Sequence, residues 1–593
     1  MQSMAGMQTQ TRNIRRRSTA RGKKWVVQPA CDSCEQLAGS LKVSPLFAQV
    51  LINRGIETRS RASAFLNPKL ADLISPEEMP GMQKAVGKIS SAIKDGQKIT
   101  IYGDYDVDGI TGVAILSQLL ELLDADVDFY IPHRIREGYG VNEDAVRSLA
   151  ENGTNLLVTT DCGISAIDSV LAAGQLGIET VITDHHQPDD TLPQAAAIVH
   201  PALDKSYANQ DSAGAMVAFK LAWALAIHFN SGPRLDDRFR RFMLDATSLA
   251  AMGTIADIMD LRGENRILTS YGLKSLGECS LPGIRALIEN AGLDGKGLDS
   301  YHIGFRLAPM LNAAGRMGHA RLAVELLNST STTRAIQIAR YLKEQNAQRR
   351  KYERKISKHA MRTITEKQLD HPDNQTIVLA NEKWHAGVIG VVASRIVDRF
   401  YRPTIIINSD TTVCHGSARS IPDFDILKAI KSCRKWLTGF GGHEMAAGIS
   451  IARENIPEFS AEFEAYAQQN LASHNTTARL HIDSFAALNQ LKMPVVTELS
   501  RLGPFGTGNP RPVFATKGLR LAASPRRVGS RGEHLQFAVS DNTASIRCIG
   551  FGLGKYEKKL VEKDFFDLAY EPAINNFNAS SSVQLVVSDI RFE

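Results

Sequence analysis

Acidic and imidazole side chains recur in this sequence immediately after short apolar segments that have the composition of buried strands. The segments are 98–103, 155–160 and 179–183, one more acid ends a helical segment, and the side chains are Asp104, Asp106, Asp108, Asp161, Asp184, His185, His186 and Asp257. Because the carboxyl ends of parallel strands meet along one edge of an open sheet, we expect these side chains to share a crevice. Like charges so close together are costly unless a cation neutralises them. The spacing therefore predicts a metal site.

The ligand types indicate which cation this site would hold. Carboxylates with one or two imidazoles suit a hard or borderline cation, so Mn²⁺ or Mg²⁺ is favoured, and the lack of thiolates among them argues against zinc. Five or more candidate ligands favour two ions roughly 3.5–4 Å apart, the arrangement of two-metal phosphoryl transfer. The predicted chemistry is hydrolysis of a phosphodiester.

Each motif taken alone has a simpler interpretation. Acids in loops are commonly solvated or cap a helix, and the run Asp104–Gly109 also resembles the start of a calcium loop. The twelfth position counted from Asp104 is Ile115, where such a loop needs Glu. Four acidic elements in order, each at the end of a strand or helix, favour the metal site over these alternatives. The absence of a G-x-x-x-x-G-K-[ST] motif argues against an ATP-driven enzyme.

The elements that must position these side chains alternate regularly along the chain. Strands are predicted over 98–103, 127–131, 155–160 and 179–183, and helices over 110–123, 144–151, 165–173, 213–229 and 237–257. This alternation is typical of an α/β fold with a mostly parallel sheet.

In the second half of the chain, the predicted elements are a long helix, a second α/β unit and then a series of short strands. Residues 334–369 contain neither Gly nor Pro and predict one long helix, about 54 Å long at ~1.5 Å per residue, that connects two domains. A smaller α/β unit follows, with strands at 376–379 and 404–408. From 480 onward short strands at 512–515, 518–522, 535–539, 545–550, 565–570 and 584–590 predict a small barrel. Basic runs at 340–362 and 499–532 suit a phosphate backbone, although the second run is also compatible with a merely solvated face.

Composition and charge exclude some classes of protein. The 593 residues include 69 Lys+Arg and 63 Asp+Glu, a net charge of +6, and their length predicts three to five domains. Seven bases and no acid precede Asp32, so the excess lies in an N-terminal tail that we expect to be disordered. No apolar run is long enough to span a membrane. The seven scattered cysteines, including an isolated Cys31-x-x-Cys34, indicate a reducing compartment and no zinc site.

The ordered motifs resemble the DHH phosphoesterase superfamily, named for the motif that stands here as Asp184-His185-His186. The closer resemblance is to its single-strand-specific 5′→3′ exonucleases, and it extends from Tyr102 to the C-terminus, about five-sixths of the chain. The motifs that carry it are 103–109, 159–163, 183–186, 253–257, LNAAGRMG at 311–318, WHAGVIGVVASRI at 384–396, GSARS at 416–420, GFGGHEMAAG at 439–448 and PFGTGNPRPVF at 504–514.

The resemblance implies roles for individual residues. The metal ligands would be Asp106, Asp108, Asp161, His185 and Asp257. His186 would contact the scissile phosphate and complete the catalytic set. Residues that would bind the substrate strand are Asn312, Arg316, His385, Arg395, Ser417, Arg419, Gly441, Gly442 and His443. From the residues alone, Asn312 is equally compatible with a helix cap, and the glycine pair with a turn.

The resemblance also implies an architecture and a cellular role. We expect a basic tail at 1–30, a helical segment at 31–90, a DHH catalytic domain at 91–330, the connector helix at 334–369, a DHH-associated α/β domain at 370–472 and an OB-like barrel at 478–593. The expected function is a two-metal exodeoxyribonuclease acting on single-stranded DNA in recombination and repair, with a single-strand-binding protein and a helicase as partners. The expected location is the cytoplasm, with organelle targeting by the basic tail as an alternative.

Two other functions stay open at this point. One is a phosphodiesterase of the same superfamily for short oligonucleotides or cyclic dinucleotides, which would not need a basic barrel. The other is an inactive scaffold in replication, which would have lost the metal acids that are all retained here.

Overall fold

The computed structural model describes residues 23–134, 136–471, 478–577 and 580–592, which form two compact units. Among these residues, one unit comprises 25–352 with 481–592, and the other comprises Lys23 and Lys24 with 353–480. Within these described ranges, no helix is both long enough and apolar enough to cross a membrane.

The described N-terminal region consists of a short strand and four helices. They are β1 (Lys24–Val27), α1 (Cys34–Leu41), α2 (Pro45–Asn53), α3 (Arg59–Leu66) and α4 (Met82–Lys94). The tail expected to be disordered lies mostly outside the described residues, but the prediction is wrong for Lys24–Val27. This segment has the β-forming sequence KWVV, and Trp25 donates its indole N–H to Asp589 at 2.8 Å.

A five-stranded parallel sheet forms the centre of the first unit, in the order β3-β2-β4-β5-β6. Its strands are β2 (Ile99–Gly103), β3 (Val127–Tyr130), β4 (Leu156–Thr160), β5 (Glu179–Thr183) and β6 (Ala197–Val199). All residues of β2 and β4 are buried, as expected for a sheet with both faces covered. The predicted parallel sheet is confirmed, and the one unpredicted strand, β6, has only three residues.

Ten helices accompany this sheet: α5 (Val107–Leu122), α6 (Glu143–Glu151), α7 (Ile167–Gln175), α8 (Gly214–Phe229), α9 (Asp237–Ala256), α10 (Gly263–Leu276), α11 (Pro282–Asn290), α12 (Ser300–His302), α13 (Ala308–Arg316) and α14 (Ala320–Asn328). A π-helical turn at Ile303–Leu307 joins α12 to α13. Helices α5 and α8 are buried along most of their length and pack against each other and against α9. This packing brings the starts of two helices towards the carboxyl ends of the strands.

The predicted connector is a single helix, α15 (Thr332–Glu366), of 35 residues. It begins two residues earlier than predicted, where the Ser331 hydroxyl accepts the N–H of Arg334 at 3.3 Å. It ends three residues earlier, because Gln368 has a φ of 54° and terminates the helix in the left-handed conformation.

The second unit is a smaller α/β domain with a mixed sheet in the order β10-β11-β9-β8-β7. Its elements are β7 (Ile377–Asn381), α16 (Ala386–Phe400), β8 (Thr404–Asn408), β9 (Val413–Arg419), α17 (Ile426–Ser432), β10 (Leu437–Gly442), β11 (Ala446–Ala452) and α18 (Ile456–Asn470). Only β7 and β8 are parallel to each other. The sequence predicted these two strands, but not the glycine-containing strands β9, β10 and β11, because glycine weakens the strand pattern.

The C-terminal region is a closed barrel, as predicted. Its elements are β12 (Arg479–Ile482), β13 (Ser484–Phe485), α19 (Met493–Ser500), β14 (Phe514–Val528), β15 (His534–Ser540), β16 (Ser545–Gly550), α20 (Glu557–Glu562), β17 (Phe566–Phe577) and β18 (Ser580–Phe592). β14 pairs with both β15 and β17, and β16 pairs with β18, which closes five strands into a ring. The two strands expected at 512–515 and 518–522 form one, because a bulge after Thr516 bends β14 without ending it.

The N-terminal helices and the barrel bury one set of apolar side chains, which we term the shared core. Phe47 and Leu51 of α2 belong to the same cluster as Phe514 and Leu585 of the barrel. Polar contacts join the same parts, because Glu498 accepts both the N–H and the hydroxyl of Ser44, at 2.8 and 2.6 Å.

Candidate metal centre

Two acids lie where β2 turns into α5. Asp106 is the N-cap of α5 and accepts the N–H groups of Asp108 at 2.9 Å and Gly109 at 3.3 Å. Asp108 is buried and accepts the N–H groups of Gly214 at 2.6 Å and Ala215 at 2.9 Å, the first two residues of α8. The start of α8 therefore stabilises the Asp108 carboxylate with two backbone donors and with the positive end of its dipole.

A histidine from the end of β5 connects the remaining acids. His185 Nε2 lies 3.1 Å from Asp161 Oδ1, 3.6 Å from Asp257 Oδ2 and 3.7 Å from Asp108 Oδ2. Asp161 follows β4 with a φ of 62°, a conformation that Asp tolerates better than most residues, and Asp257 is the C-cap of α9. One imidazole thus stands within 4 Å of carboxylates from three separate elements.

Two glycines permit this close packing. A Cβ atom at Gly214 would lie 2.6 Å from Asp161 Cβ, and one at Gly253 would lie 2.6 Å from Asp108 Oδ1. Real Cβ atoms do not approach other atoms so closely, so any side chain at either position would displace an acid. Gly253 is therefore required because α9 packs directly against Asp108.

Burial and mutual repulsion make it unfavourable for all of these carboxylates to be ionised at once. Burial, reinforced by the neighbouring carboxylates, raises the pKa of Asp108 to about 7 and that of Asp257 to about 8. The same causes raise the pKa of Asp104 and of Asp161 well above the usual value. A bound cation would offset this repulsion.

The donor set fits a divalent cation. Asp104 Oδ1 is buried without a hydrogen-bond partner, which leaves a carboxylate oxygen available to the centre. Three groups of side chains hold ligand atoms within 4.8 Å of one another: Asp161, His185 and His186; Asp108, His185 and Asp257; and Asp104, Asp106 and Asp161. Every metal ligand expected from the sequence therefore lies in one cluster, and Asp104 lies with them.

A second imidazole is held by a different acid. Asp184 accepts His186 Nδ1–H at 2.8 Å and the N–H of Ile164 at 2.9 Å. Although burial opposes both shifts, this pairing lowers the pKa of Asp184 to about 2 and raises that of His186 to about 9. Asp184 thus orients His186 and keeps it protonated at neutral pH.

Tyr139 is a residue of this site that sequence reasoning missed. Its hydroxyl donates to the Asp161 carbonyl at 3.1 Å and lies 3.0 Å from His186 Nδ1. Its neighbours Gly138 and Gly140 both have a φ of 85°. The signal available in the sequence was an aromatic residue between two glycines, GYG, which marks a turn that presents its side chain.

Two of the expected substrate-binding residues lie in α13, beside the β2–α5 loop. The Asn312 Oδ1 atom accepts the N–H of Val107 at 3.1 Å, so this side chain caps α5 from a neighbouring helix. A Cβ at Gly315 would lie 2.5 Å from the Tyr105 carbonyl oxygen, which places the next residue, Arg316, against the same loop.

Most of the other expected substrate-binding residues lie together in the second unit. Ser417 is paired with Gly448, which is paired in turn with Gly441, so these positions form one row across β9, β11 and β10. Arg419 donates to the Ser417 hydroxyl at 3.1 Å. Gly442 and His443 lead into the turn before β11, where the His443 N–H donates to the Ala446 carbonyl at 2.8 Å.

Two expected substrate contacts have other partners in this unit. His385 is the N-cap of α16, where its Nδ1 accepts the N–H of Gly387 at 3.1 Å. Arg395 forms an ion pair with the buried Glu353 of α15. The described contacts therefore join Arg395 to the connector helix and not to the Ser417 row.

Comparisons with known proteins agree with this arrangement. The DHH family N-terminal domain matches residues 98–252, the DHHA1 domain matches 373–469, and the RecJ OB domain matches 482–589. The single-stranded-DNA-specific exonuclease RecJ of Bacillus subtilis is 36% identical over 570 residues, covering 95% of this chain and 70% of the relative. The RecJ of Thermus thermophilus is 35% identical over 512 residues, covering 86% of this chain and 71% of the relative.

Solved structures extend the likeness to the whole fold. The crystal structure of Thermus thermophilus RecJ with Mn²⁺ has a TM-score of 0.82 and 30% identity, and covers 96% of this chain and 80% of that one. The structure of the same protein with Mg²⁺ has a TM-score of 0.76 and 29% identity, and covers 96% and 78%. With three family domains in order and relatives above 30% identity, the chain belongs to the RecJ family of DHH phosphoesterases.

Proposed function

We propose that this protein is a divalent-metal-dependent exonuclease that hydrolyses single-stranded DNA from the 5′ end and releases nucleotides. The observation that carries the proposal is the cluster of carboxylates around His185, within a chain that belongs to the RecJ family. The 5′→3′ polarity rests on the resemblance to the family.

We propose that Asp106, Asp108, Asp161, His185 and Asp257 hold Mn²⁺ or Mg²⁺, with Asp104 adjusting the charge of the cluster. Two such ions would neutralise the carboxylates, polarise the scissile phosphodiester and lower the pKa of the attacking water. Asp108 contributes a carboxylate already fixed by two backbone donors of α8, so little ordering is needed when a metal binds.

His186 is the proposed contact to the scissile phosphate. Its pairing with Asp184 supports this role, because a protonated imidazole supplies a charged donor to a phosphate oxygen. Tyr139 packs edge-on against the His186 ring, with ring centroids 5.4 Å apart, and restricts its orientation. Asp184 and Tyr139 are thus positioning residues.

Proposed contacts to the rest of the strand come from both units. Arg316 beside the β2–α5 loop supplies a guanidinium for phosphate, and Asn312 acts by fixing the start of α5. In the second unit, the row through Ser417 and Gly441 exposes backbone with small side chains, with Arg419 and His443 alongside. Of the remaining expected contacts, His385 and Arg395 have support from the resemblance alone.

The basic residues of the barrel region favour a long substrate over a dinucleotide. Its segment from Leu499 to Gly532 carries the seven bases Arg501, Arg511, Lys517, Arg520, Arg526, Arg527 and Arg531 and no acid. A basic segment of this length suits a strand backbone, whereas a dinucleotide needs no such extended track. We propose that the barrel domain spans 478–593, the catalytic domain 91–330 and the DHH-associated domain 370–472.

We further propose a role in DNA recombination and repair, in the cytoplasm, with a helicase and a single-strand-binding protein as partners that supply and present the strand. The described cysteines are all free thiols, which agrees with a reducing compartment.

The test is digestion of single strands labelled at the 5′ or the 3′ end, with Mn²⁺ or Mg²⁺, and with product lengths resolved on a gel. We expect 5′-labelled strands to release label at once as mononucleotide, while 3′-labelled strands shorten gradually. A blunt duplex should resist. Preferred hydrolysis of dinucleotides would instead favour the oligonucleotide phosphodiesterase, and inactivity with both metals would favour the scaffold.

A further inference from the structure

Two aromatic rings are exposed side by side at the π-helical turn that precedes α13. Tyr301 is 53% exposed and Phe305 is 68% exposed, and their rings stack with centroids 4.8 Å apart and an interplanar angle of 27°. Single exposed apolar residues are ordinary, but a stacked pair of rings leaves a flat apolar surface in water. We term this pair the stacking platform.

The backbone at this place is unusual. Phe305 lies inside the π-helical turn, while its neighbours Ile303 and Leu307 are buried in the core. Such turns are rare and occur frequently at functional sites, because the extra residue changes which side chains face outward.

One loop of the barrel region contacts both the helix that carries Tyr301 and the segment that follows Asp257. The Phe505 carbonyl accepts the hydroxyl of Ser300, the residue before Tyr301. Two residues further on, the Thr507 carbonyl accepts the N–H of Leu261 at 2.9 Å, four residues after Asp257. The residue before the platform and the segment that follows Asp257 therefore contact the same loop.

Of the three acids around His185, Asp257 is the most exposed. The Asp257 side chain is 31% exposed, whereas those of Asp108 and Asp161 are 1% and 3% exposed. The next residue, Ile258, is 72% exposed and has a φ of 62°, which is rare for a β-branched residue. An exposed apolar side chain thus follows the proposed metal ligand Asp257 directly in the sequence.

A guanidinium group lies in the loop beside the platform. Arg511 lies over the Phe505 ring at 4.9 Å and pairs with Asp299 at 3.0 Å, at the start of the helix that carries the platform. Exposed rings next to a basic track are the arrangement by which proteins bind single-stranded nucleic acid.

We infer that Tyr301 and Phe305 stack against unpaired bases of the single-stranded DNA substrate as it approaches the metal centre. The inference deepens the proposed function and rests on it. Bases within a duplex are stacked on one another and offer no free face, so the platform favours a single strand through base chemistry. Because every base has a π face, no sequence preference follows. The two residues bind the strand and take no part in the hydrolysis.

The experiment measures binding in an Asp161→Asn background, which prevents digestion, by fluorescence anisotropy with Mn²⁺ present. The proteins compared are the parent, the Tyr301→Ala/Phe305→Ala double variant and the ring-retaining Tyr301→Phe/Phe305→Tyr variant. A matched control, Leu244→Ala, removes an exposed apolar side chain from α9. Each protein is titrated against a normal strand and against an equally long strand whose residues are all abasic.

We expect the double Ala variant to bind the normal strand about 10- to 100-fold more weakly, given ~1–3 kcal/mol per stacked base. It should bind the abasic strand within about twofold of the parent, and the ring-retaining variant and Leu244→Ala should match the parent on both strands. Unchanged affinity for the normal strand would overturn the inference. Equal weakening on both strands would overturn it too, because the effect would then not depend on bases.

Failure of this inference differs from failure of the proposed function. With Asp161 intact, the double Ala variant should show a raised KM for single-stranded DNA and an unchanged kcat at saturation. If the parent enzyme degrades single strands and KM does not change, only the inference fails. If the parent enzyme does not degrade them, the proposed function fails regardless of binding.

Discussion

Asp161 occupies the most constrained position in the metal centre. It contacts His185, belongs to two of the three potential ligand groups and has a left-handed backbone conformation. Asn keeps the shape of Asp and also tolerates this conformation, whereas Ala would add backbone strain. Asp161→Asn therefore separates the charge of this side chain from its structural role.

We expect Asp161→Asn to abolish Mn²⁺-dependent digestion of single-stranded DNA while circular dichroism and thermal stability stay close to the parent. The matched control is Asp168→Asn, an exposed acid of α7, which should retain full activity. Digestion by Asp161→Asn at the parental rate would show that this carboxylate is not a metal ligand.

The raised pKa values of the cluster predict how pH affects the metal-free protein. Asp108 and Asp257, with pKa values of about 7 and about 8, bind more protons in the folded state than unfolded between pH 4 and 8, so their ionisation destabilises the fold as pH rises. The pKa of His186 is raised to about 9, so the stability that its protonated pairing with Asp184 contributes is also lost as pH rises above 6.5.

We therefore expect the Tm of the chelator-treated protein to fall between pH 6 and pH 8.5. Added Mn²⁺ should raise the Tm much more at pH 8.5, because a cation replaces the protons that the carboxylates have lost. Calorimetry at both pH values, with and without Mn²⁺, checks this. A metal-induced increase that is equal at both pH values would contradict it.

At the scale of elements, the close approach of helices to the acids has a testable consequence. Gly214→Ala should displace Asp161, since the new Cβ would lie 2.6 Å from the Asp161 Cβ. Overpacking of this kind costs about 1–3 kcal/mol of unfolding free energy, and a ligand displaced by ~1 Å lowers activity about 100-fold.

The matched control is Gly87→Ala, at an exposed position in α4 where a Cβ would meet no atom within 4 Å. Ala should stabilise that helix by about 0.5–1 kcal/mol and leave digestion unchanged. Denaturant unfolding and single-strand digestion of both variants give the comparison. Normal activity in Gly214→Ala would mean that the metal centre tolerates the displacement.

Away from the metal centre, a buried ion pair joins α8 and α10 to the loop residue Ile74. Lys220 of α8 donates to Glu264 of α10 and to the Ile74 carbonyl, and Glu264 also accepts the Ile74 N–H at 2.8 Å. Because both side chains are buried, removing one partner leaves an uncompensated charge or polar group.

We expect Glu264→Gln to lower the unfolding free energy by about 3–5 kcal/mol. Lys220→Met/Glu264→Gln should recover part of this loss, because no unpaired ammonium remains. Denaturant unfolding of the two single variants and the double variant completes the cycle. Additive losses in the double variant would show that the two side chains are not coupled.

The sequence predicted most elements of the core, because buried strands and acids at their ends leave a clear pattern. It predicted the five candidate ligands that the structure brings into one cluster, and it missed Tyr139, whose contact with His186 depends on a loop conformation that no periodicity encodes. It missed β9, β10 and β11 because their glycines weaken the strand pattern. It also gave no indication that Asp184 orients His186, since spacing does not distinguish a ligand from a neighbour that holds one.

At the scale of the whole molecule, the shared core makes residues near the two ends of the chain depend on each other. Phe47 of α2 is fully buried in a cluster that includes Phe514 and Leu585 of the barrel. Phe47→Ala should cost about 3–5 kcal/mol, as is usual for a buried aromatic residue. The loss should appear in the barrel as well as in α2.

Limited proteolysis tests this dependence. We expect Phe47→Ala to expose cleavage sites in α1–α3 and in the barrel at the same rate, while the parallel sheet stays protected. Leu244→Ala, an exposed position of α9, should behave like the parent. Cleavage confined to α1–α3 would show that the barrel is stable without them.

The shared core also constrains how this protein is made on the ribosome. Ser44 and Glu498 are in contact although they are 454 residues apart in sequence. At ~5–20 residues per second, α2 emerges about 20–90 s before the segment that covers it. Throughout that interval, Phe47 and Leu51 have no barrel to bury them, and chaperones or proteases can bind the nascent chain. A chain whose translation stops before the barrel is complete keeps these residues uncovered, so it stays accessible to chaperones and proteases.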